Sequence, residues 1–176
     1  MVMTAKLRRG LLGLATLGMN LFWVQGCGGD MPAYTGTEPV TTGTEYTYSQ
    51  IPYETNGRTN TNLGCYEVSS AELTIYTWDH GMVDGDIVTI YVNGTEVISY
   101  YTLQGPDYKA SVTVTLPNVG YNYILLYAHN EGDISPNTAT MDVISNGITN
   151  NFTLEADLLT NGAADIVLTT GSTRCY

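Results

Sequence analysis

The stretch that decides the fold class reads VTIYVNGTEVISYY over residues 88–101. From Val88 to Val92, apolar residues take every second position, which is the period of a strand with one buried face. Asn93-Gly94 follows, the strongest short-range signal for a tight hairpin turn. Residues 97–101 then have the β-branched and aromatic composition of a returning strand. This stretch therefore predicts a β-hairpin.

Similar runs lie on both sides of the hairpin, separated by turn-forming residues. The period of two recurs at residues 73–76 and 112–116, and residues 124–128 form the continuous apolar run typical of a central strand. About 7–8 such runs, none with a convincing helical period, predict an all-β fold. We expect a single antiparallel β-sandwich over residues 65–176, with a small barrel as the alternative.

The segment before this domain, residues 27–64, has a different composition. It is rich in threonine, glycine and proline and poor in aliphatic side chains. Such a segment buries too little apolar surface to offset the entropy cost of ordering it. We therefore expect a flexible tether, with an edge strand at residues 45–48 as the alternative.

The N-terminus has the layout of an export signal. Three basic residues within positions 6–9 precede an uncharged, largely apolar run from Gly10 to Val24, and a small residue precedes the expected cleavage point. The run is shorter than the about 20 residues that a membrane-spanning helix needs. Residues 1–26 are therefore expected to be a signal peptide, and a retained transmembrane helix is the weaker interpretation.

The signal ends in Val24-Gln25-Gly26-Cys27, which resembles the lipobox of bacterial lipoproteins. In that class the cysteine is lipidated, palmitate being a typical acyl chain, and becomes the new N-terminus. The resemblance implies a membrane anchor on Cys27, because two or more acyl chains hold a protein stably on a bilayer. Gly28 stands where an Asp favours the inner membrane, so the implied location is the outer membrane or cell surface. Plain secretion is the alternative.

The cysteine count is consistent with export and lipidation. Three cysteines are present, and an odd number in an exported protein needs an explanation. If Cys27 carries lipid, Cys65 and Cys175 remain, and an oxidising compartment favours a disulfide between them. The alternative is two unpaired buried thiols.

The chain is strongly acidic, with 17 acidic and six basic residues and a formal net charge of −11. After residues 1–26 are removed, only Arg58, Lys109 and Arg174 remain basic, and the formal charge becomes −14. Such a surface repels phosphate backbones, so nucleic acid is not an expected partner. It also repels anionic lipid headgroups, so the membrane is expected to be reached through the N-terminal lipid.

Acidic residues gather in two turn-like segments. Asp79, Asp84 and Asp86 fall within eight residues, and Glu131 and Asp133 lie in a second turn. Calcium binds about six to eight oxygen ligands on loops that can wrap around it. These five residues are the candidate metal ligands; the pattern requires no cofactor, and calcium is the ion that it suggests. The alternative is ordinary turn chemistry, in which Asp caps the backbone.

Tyrosine supplies a second candidate site. Of the 14 tyrosines, Tyr76, Tyr91, Tyr100 and Tyr101 lie in consecutive predicted strands. Exposed tyrosines on a sheet face can stack on sugar rings, so these four are candidate ligand-binding residues. The alternative is ordinary sheet decoration, because tyrosine has a high strand propensity.

No pattern in the sequence indicates catalysis. His80 and His129 are the only histidines, and neither lies in a recognisable nucleophile motif. Asp79 adjoins His80, but neighbouring residues of a strand face opposite sides. We therefore expect no enzymatic activity.

The turns at Asp84-Gly85-Asp86 and Asn93-Gly94, together with residues 130–139, support a second resemblance. They look like the turns of small β-sandwich modules in secreted bacterial surface proteins, which implies a fold and a location. We therefore expect a non-enzymatic binding or structural lipoprotein, with a surface protein or a glycan as its partner. The alternative is a carbohydrate-binding module, with calcium shaping its loops.

Overall fold

The computed structural model describes residues 43–176, which form two β-sheets around a shared apolar core. The predicted all-β class is confirmed. Helical structure in this range is limited to one 3-10 turn at Pro106–Tyr108, and no helix of the described part is long and apolar enough to cross a membrane. The strands are β1 (Glu45–Tyr46), β2 (Glu54–Thr55), β3 (Arg58–Val68), β4 (Glu72–Asp79), β5 (Ile87–Val92), β6 (Thr95–Thr102), β7 (Ala110–Thr115), β8 (Val119–Ala128), β9 (Asn137–Ser145), β10 (Ile148–Ala156) and β11 (Thr160–Leu168).

The larger sheet has seven strands and is mixed. Six follow the order β2-β3-β11-β8-β5-β6, and β1 pairs with the start of β8. The β1–β8 and β3–β11 pairs are parallel, whereas the smaller sheet, β10-β9-β4-β7, is antiparallel throughout. The predicted antiparallel arrangement is therefore wrong for the larger sheet. Side chains alternate in the same way in both kinds of strand, so the periodicity could not reveal strand direction.

The β5–β6 pair is the hairpin predicted from residues 88–101. Val92 pairs with Thr95 across the turn. Asn93 and Gly94 have φ angles of 47° and 78°, the positive values that a type I′ turn requires at both central residues. The turn signal in the sequence is therefore confirmed.

The core lies between the two sheets. Leu73 on β4 and Ile90 on β5 are typical members, and neither has exposed surface. A second, smaller cluster lies on the outer face of the larger sheet, where Leu125 and Ala163 pack against Ile51. The centre of β8 is therefore covered on both faces, which explains its continuous apolar run.

Part of the segment predicted as a flexible tether belongs to the larger sheet. β1, β2 and the first half of β3 lie before Cys65, so the domain begins earlier than predicted and has more strands than predicted. The alternative of an edge strand at residues 45–48 is confirmed for Glu45–Tyr46. Residues 27–42, the rest of the predicted tether, lie outside the described residues, as do the predicted signal peptide and Cys27.

Polar contacts order this N-terminal segment. Ser49 Oγ donates to Asp165 Oδ1 at 2.8 Å, and Asn62 Nδ2 donates to Asp165 Oδ2 at 2.7 Å. Asn60 Nδ2 donates to the carbonyl of Pro52 at 2.8 Å. Because side-chain hydrogen bonds hold the segment in place, its low apolar content did not predict that it is folded.

A disulfide joins Cys65 in β3 to Cys175 near the C-terminus, as predicted. The C-terminal tail is also held by polar contacts, since Thr173 Oγ1 donates to Glu45 Oε1 at 3.2 Å and the Cys175 N–H donates to Glu67 Oε1 at 3.1 Å. The tail therefore contacts both β1 and β3. Disulfides persist in oxidising compartments, which indicates an extracytoplasmic location.

Candidate metal centre

The structure brings three of the five predicted metal ligands together. Asp79 is the last residue of β4, and Asp84 and Asp86 lie in the loop that leads into β5. One carboxylate oxygen from each residue lies within 4.8 Å of those of the other two. Asp79 and Asp86 are buried, with 3% and 2% of their surface exposed, and Asp84 is half-buried. We call these three residues the aspartate cluster.

Backbone N–H groups hold one oxygen of each carboxylate in the aspartate cluster. The donor–acceptor distances run from 2.7 to 3.3 Å. The Gly81 N–H donates to Asp79 Oδ1, and the Thr138 N–H donates to Asp86 Oδ2. Asp84 Oδ2 accepts from the N–H groups of both Asp133 and Ile134. Each side chain is therefore fixed by one oxygen, which leaves the other to be satisfied elsewhere.

The second oxygen of each carboxylate has no hydrogen-bond partner. These atoms are Asp79 Oδ2, Asp84 Oδ1 and Asp86 Oδ1, and all three are buried. An unsatisfied buried polar atom costs about 1–3 kcal/mol, and a charged one costs more. A single cation placed among the three oxygens would satisfy all of them.

The electrostatics of the cluster also favour a cation. Burial, followed by the negative charge of Asp84, raises the pKa of Asp86 to about 7. Burial likewise raises the pKa of Asp79. No basic side chain forms an ion pair with the cluster, because the one salt bridge among residues 43–176 joins Lys109 to Asp142. A divalent cation would supply the missing positive charge.

Gly132 lies against the cluster from the opposite loop. Its φ is +54°, and a β-carbon at this position would lie 2.5 Å from Asp86 Oδ1 and 2.7 Å from Asp84 Oδ1. Glycine is therefore the residue that lets this turn approach the two carboxylates so closely.

The two other predicted ligands, Glu131 and Asp133, flank Gly132, but their carboxylates are not part of the group of oxygens. Asp133 contributes its backbone N–H instead. In this structure the second turn therefore contacts the cluster through its backbone and not through the two predicted carboxylates.

Asn137 is a buried polar residue beside the cluster that the sequence analysis did not identify. It is the first residue of β9, has no exposed surface, and neither its Oδ1 nor its Nδ2 has a hydrogen-bond partner. It lies two residues from Ala139, the strand partner of Asp79, so it is a diagonal neighbour of Asp79. A single Asn before an apolar run has no distinguishing signal in the sequence, because such residues are common in turns.

A pocket of about 190 Å³ leads from solvent to the aspartate cluster. Met82, Ile134 and Pro136 contribute to its lining, and the first two have 71% and 57% of their surface exposed. The floor of the pocket is therefore acidic and its rim largely apolar.

The four candidate tyrosines do not form one site. Tyr76 is on β4 in the smaller sheet, at a position that alternates with the core residues. Tyr91 packs against the cluster on the outer face of the larger sheet. Tyr101 packs against the core between the sheets, and Tyr100 is 64% exposed.

Tyr100 is part of an aromatic group on the larger sheet. Its ring lies 4.4 Å from that of His129, which lies 5.1 Å from the ring of Tyr127. The guanidinium of Arg58 lies 4.2 Å from the centre of the Tyr127 ring. The residues beyond Tyr100 were not identified from the sequence, because Tyr127 lies in an apolar run and Arg58 in the segment predicted as a tether.

Comparison with known proteins provides no relative, since no protein-family model, curated protein or solved structure matches this chain.

Proposed function

We propose that this chain is a non-enzymatic surface lipoprotein whose β-sandwich binds calcium at Asp79, Asp84 and Asp86. The observation that supports this most directly is the set of three buried carboxylate oxygens without hydrogen-bond partners. Each carboxylate is already oriented through its other oxygen. The site is therefore organised before the ion arrives.

The donor set favours calcium over other common ions. The cluster contains only carboxylate groups, whereas structural zinc sites draw on cysteine and histidine. Magnesium requires near-ideal octahedral geometry and usually keeps several waters, while calcium accepts irregular oxygen sites on loops. Asn137, a diagonal neighbour of Asp79 whose amide oxygen has no hydrogen-bond partner, is the proposed fourth side-chain ligand.

A bound ion would link three separate parts of the domain. Asp79 ends β4, Asp84 and Asp86 precede β5, and the 132–138 segment contacts them through Ile134 and Thr138. The proposed role of calcium is to fix this end of the sandwich in one conformation.

Terbium luminescence tests the metal site directly. Terbium binds calcium sites, and we expect Trp78, the residue before Asp79 in β4, to sensitise its emission. We expect full-length protein to give terbium emission that calcium displaces, with an affinity confirmed by calorimetry. Asp86→Asn should weaken calcium binding by about 100-fold, because ligand charge sets calcium affinity.

Asp133→Asn is the matched control for this experiment. It removes one carboxylate from the adjacent turn but keeps the N–H that holds Asp84. Equal loss of calcium affinity in the two variants would show general charge attraction and no defined site. Absence of calcium binding to the wild-type protein would overturn the proposal.

The lipid anchor is a separate part of the proposal, supported by the lipobox-like Val24-Gln25-Gly26-Cys27. Cells expressing the protein should incorporate labelled palmitate into it, and Cys27→Ser should abolish the label. Label that persists in this variant would contradict the anchor, and an unlabelled wild-type protein would support plain secretion.

Carbohydrate binding is a second candidate function. It is supported by the aromatic group of Tyr100, Tyr127 and His129, because sugar rings stack on aromatic faces. Retention on a panel of immobilised glycans that is lost in Tyr100→Ala would favour a site on this face.

A further inference from the structure

The aspartate cluster supplies too few ligands to surround a calcium ion. Calcium takes about six to eight oxygen ligands. The protein offers one free oxygen from each of Asp79, Asp84 and Asp86, together with the unpartnered amide of Asn137. These side chains fill about four of the six to eight positions, and the pocket of about 190 Å³ gives solvent-borne ligands access to the cluster.

The pocket lies at the end of the domain away from the point where the chain enters it. β1 pairs with Val119 and Gly120 at the start of β8, whereas the His129 N–H that follows β8 donates to Ile87, beside Asp86. Ten residues of β8 separate the two ends, which corresponds to roughly 30 Å at the rise of a β-strand. The pocket therefore lies at the opposite end of β8 from β1.

The charge of the site restricts its ligand. Three carboxylates with one calcium ion leave a net negative charge, and the whole chain has a formal charge of −11. An anionic ligand would be repelled, so the open positions favour neutral oxygen donors. Two neighbouring hydroxyl groups of a sugar are neutral and chelate one ion together. The C–H groups of the sugar ring then lie beside the ion.

The rim of the pocket is suited to such a ligand. Met82 and Ile134 are highly exposed apolar side chains that line the pocket above the acidic floor. Apolar walls with a few placed polar groups are the usual composition of small-molecule sites. The C–H groups of a sugar ring would contact this rim while its hydroxyls reach the ion.

We propose that the calcium ion held by Asp79, Asp84 and Asp86 is a ligand-binding ion that takes a vicinal hydroxyl pair of a neutral sugar. The proposal rests on the calcium site proposed above and names its ligand class. It places sugar recognition at the acidic pocket, whose lining includes neither Tyr100 nor His129.

The test combines sugar binding with the terbium probe on full-length protein. The sugars are mannose, fucose, galactose and glucose, with sialic acid as the anionic comparison. A sugar that chelates the ion displaces coordinated water, so luminescence lifetimes in H₂O and D₂O should show about two fewer waters, one for each hydroxyl. We expect this with at least one neutral sugar. Three carboxylates with trivalent terbium leave no net charge, so sialic acid is compared by calorimetry on the calcium-loaded protein, where we expect it not to bind.

Two sets of variants locate the sugar. Met82→Ala and Ile134→Ala should weaken sugar binding by about tenfold each while leaving the calcium affinity unchanged, because neither side chain supplies an oxygen ligand. Tyr91→Ala and Tyr100→Ala should change neither quantity.

The outcomes separate this inference from the proposed function. Calcium binding without any sugar-dependent loss of water would overturn the inference and leave the calcium site standing. Sugar binding that persists in EDTA, or that is lost in the tyrosine variants, would move recognition to the aromatic group. Absence of calcium and terbium binding would overturn both.

Discussion

Replacing Asp86 with Asn should change the stability of the domain in opposite directions with and without calcium. In EDTA at pH 8, the side chain of Asp86 is ionised in the wild-type protein. This side chain is buried, with 2% of its surface exposed, and its pKa is raised from 3.8 to about 7. At about 1.4 kcal/mol per pH unit, holding this charge in the folded state costs about 4 kcal/mol.

The Asn variant removes that charge but keeps a buried polar group. Its amide can still accept from the Thr138 N–H, as Asp86 Oδ2 does at 3.3 Å. An imperfectly paired amide costs about 1–3 kcal/mol. The net expectation in EDTA is therefore that Asp86→Asn raises the free energy of unfolding by about 2 kcal/mol.

Calcium should reverse this order. At a free concentration 1,000 times its Kd, calcium stabilises the wild-type protein by about 4.1 kcal/mol. A variant with about 100-fold weaker binding gains only about 1.4 kcal/mol under the same conditions. The wild-type protein therefore becomes the more stable of the two.

Urea unfolding followed by the fluorescence of Trp78 and by circular dichroism measures both free energies. Asp133→Asn is the control, and it should leave stability unchanged in both conditions because its carboxylate is outside the cluster. A variant that is less stable than wild type in EDTA would refute the claim that the buried charge is unfavourable. Equal calcium stabilisation of both proteins would refute the assignment of Asp86 as a ligand.

Three further predictions concern the domain as a whole. In EDTA, the wild-type protein should lose stability as pH rises from about 4 to about 7. The pKa of Asp86 is raised to about 7 in the folded state, which therefore binds more protons than the unfolded state in this range. Urea titrations at several pH values measure the free energy of unfolding, and a stability that rises across the interval would contradict this prediction. Replacing Cys65 and Cys175 with Ala should lower the free energy of unfolding by about 4–5 kcal/mol, because the disulfide spans 110 residues and restricts the unfolded chain. A loss below about 1 kcal/mol in urea melts would show that the polar contacts of the C-terminal tail stabilise the domain without the disulfide. Asn62→Ala should destabilise the domain by about 1–3 kcal/mol, because it removes a hydrogen bond to the buried carboxylate of Asp165. Thr61→Ala, at an exposed neighbouring position, is the control and should change stability little. Equal losses of stability in the two variants would argue against a specific role for the Asn62 amide.

Local features of the fold were predictable from the sequence. The alternation around Val88 and the Asn93-Gly94 turn act over a few residues, and the structure contains the expected hairpin. The pairing of Cys65 with Cys175 followed from the count of three cysteines and the assignment of Cys27 to the lipid anchor, neither of which requires knowledge of the fold. Both predictions depend on information that is contained within a short stretch or in the composition.

Long-range pairing was not predictable in the same way. β3 and β11 are about a hundred residues apart, and nothing in either sequence indicates that they lie side by side and parallel. The folding of residues 45–64 depends on Asn62 and Ser49 reaching Asp165. Hydrophobic periodicity cannot reveal an interaction between two polar side chains that are distant in sequence.

The aspartate cluster was only partly predictable from the sequence. Asp79, Asp84 and Asp86 were identified because they are close in the sequence, and the loop before β5 keeps them close in space. Asn137 was missed because strand pairing, not sequence proximity, places it near Asp79. The tyrosines were grouped by sequence order, but bulges in the β5–β6 pairing and the separation of the two sheets place them in different surroundings.

The position of β11 in the larger sheet determines when the chain can fold. Among the strands of residues 43–176, β11 is made after the other ten, yet it joins β3 to β8 in the interior of the larger sheet. Until residues 160–168 are available, β2 and β3 have no partner in the interior of the sheet, and pairing at such sequence separation is slow. An incomplete chain is therefore held back from folding. If the protein crosses a membrane through a channel that admits only unfolded chains, this topology keeps it in a transportable state until residues 160–168 have been made.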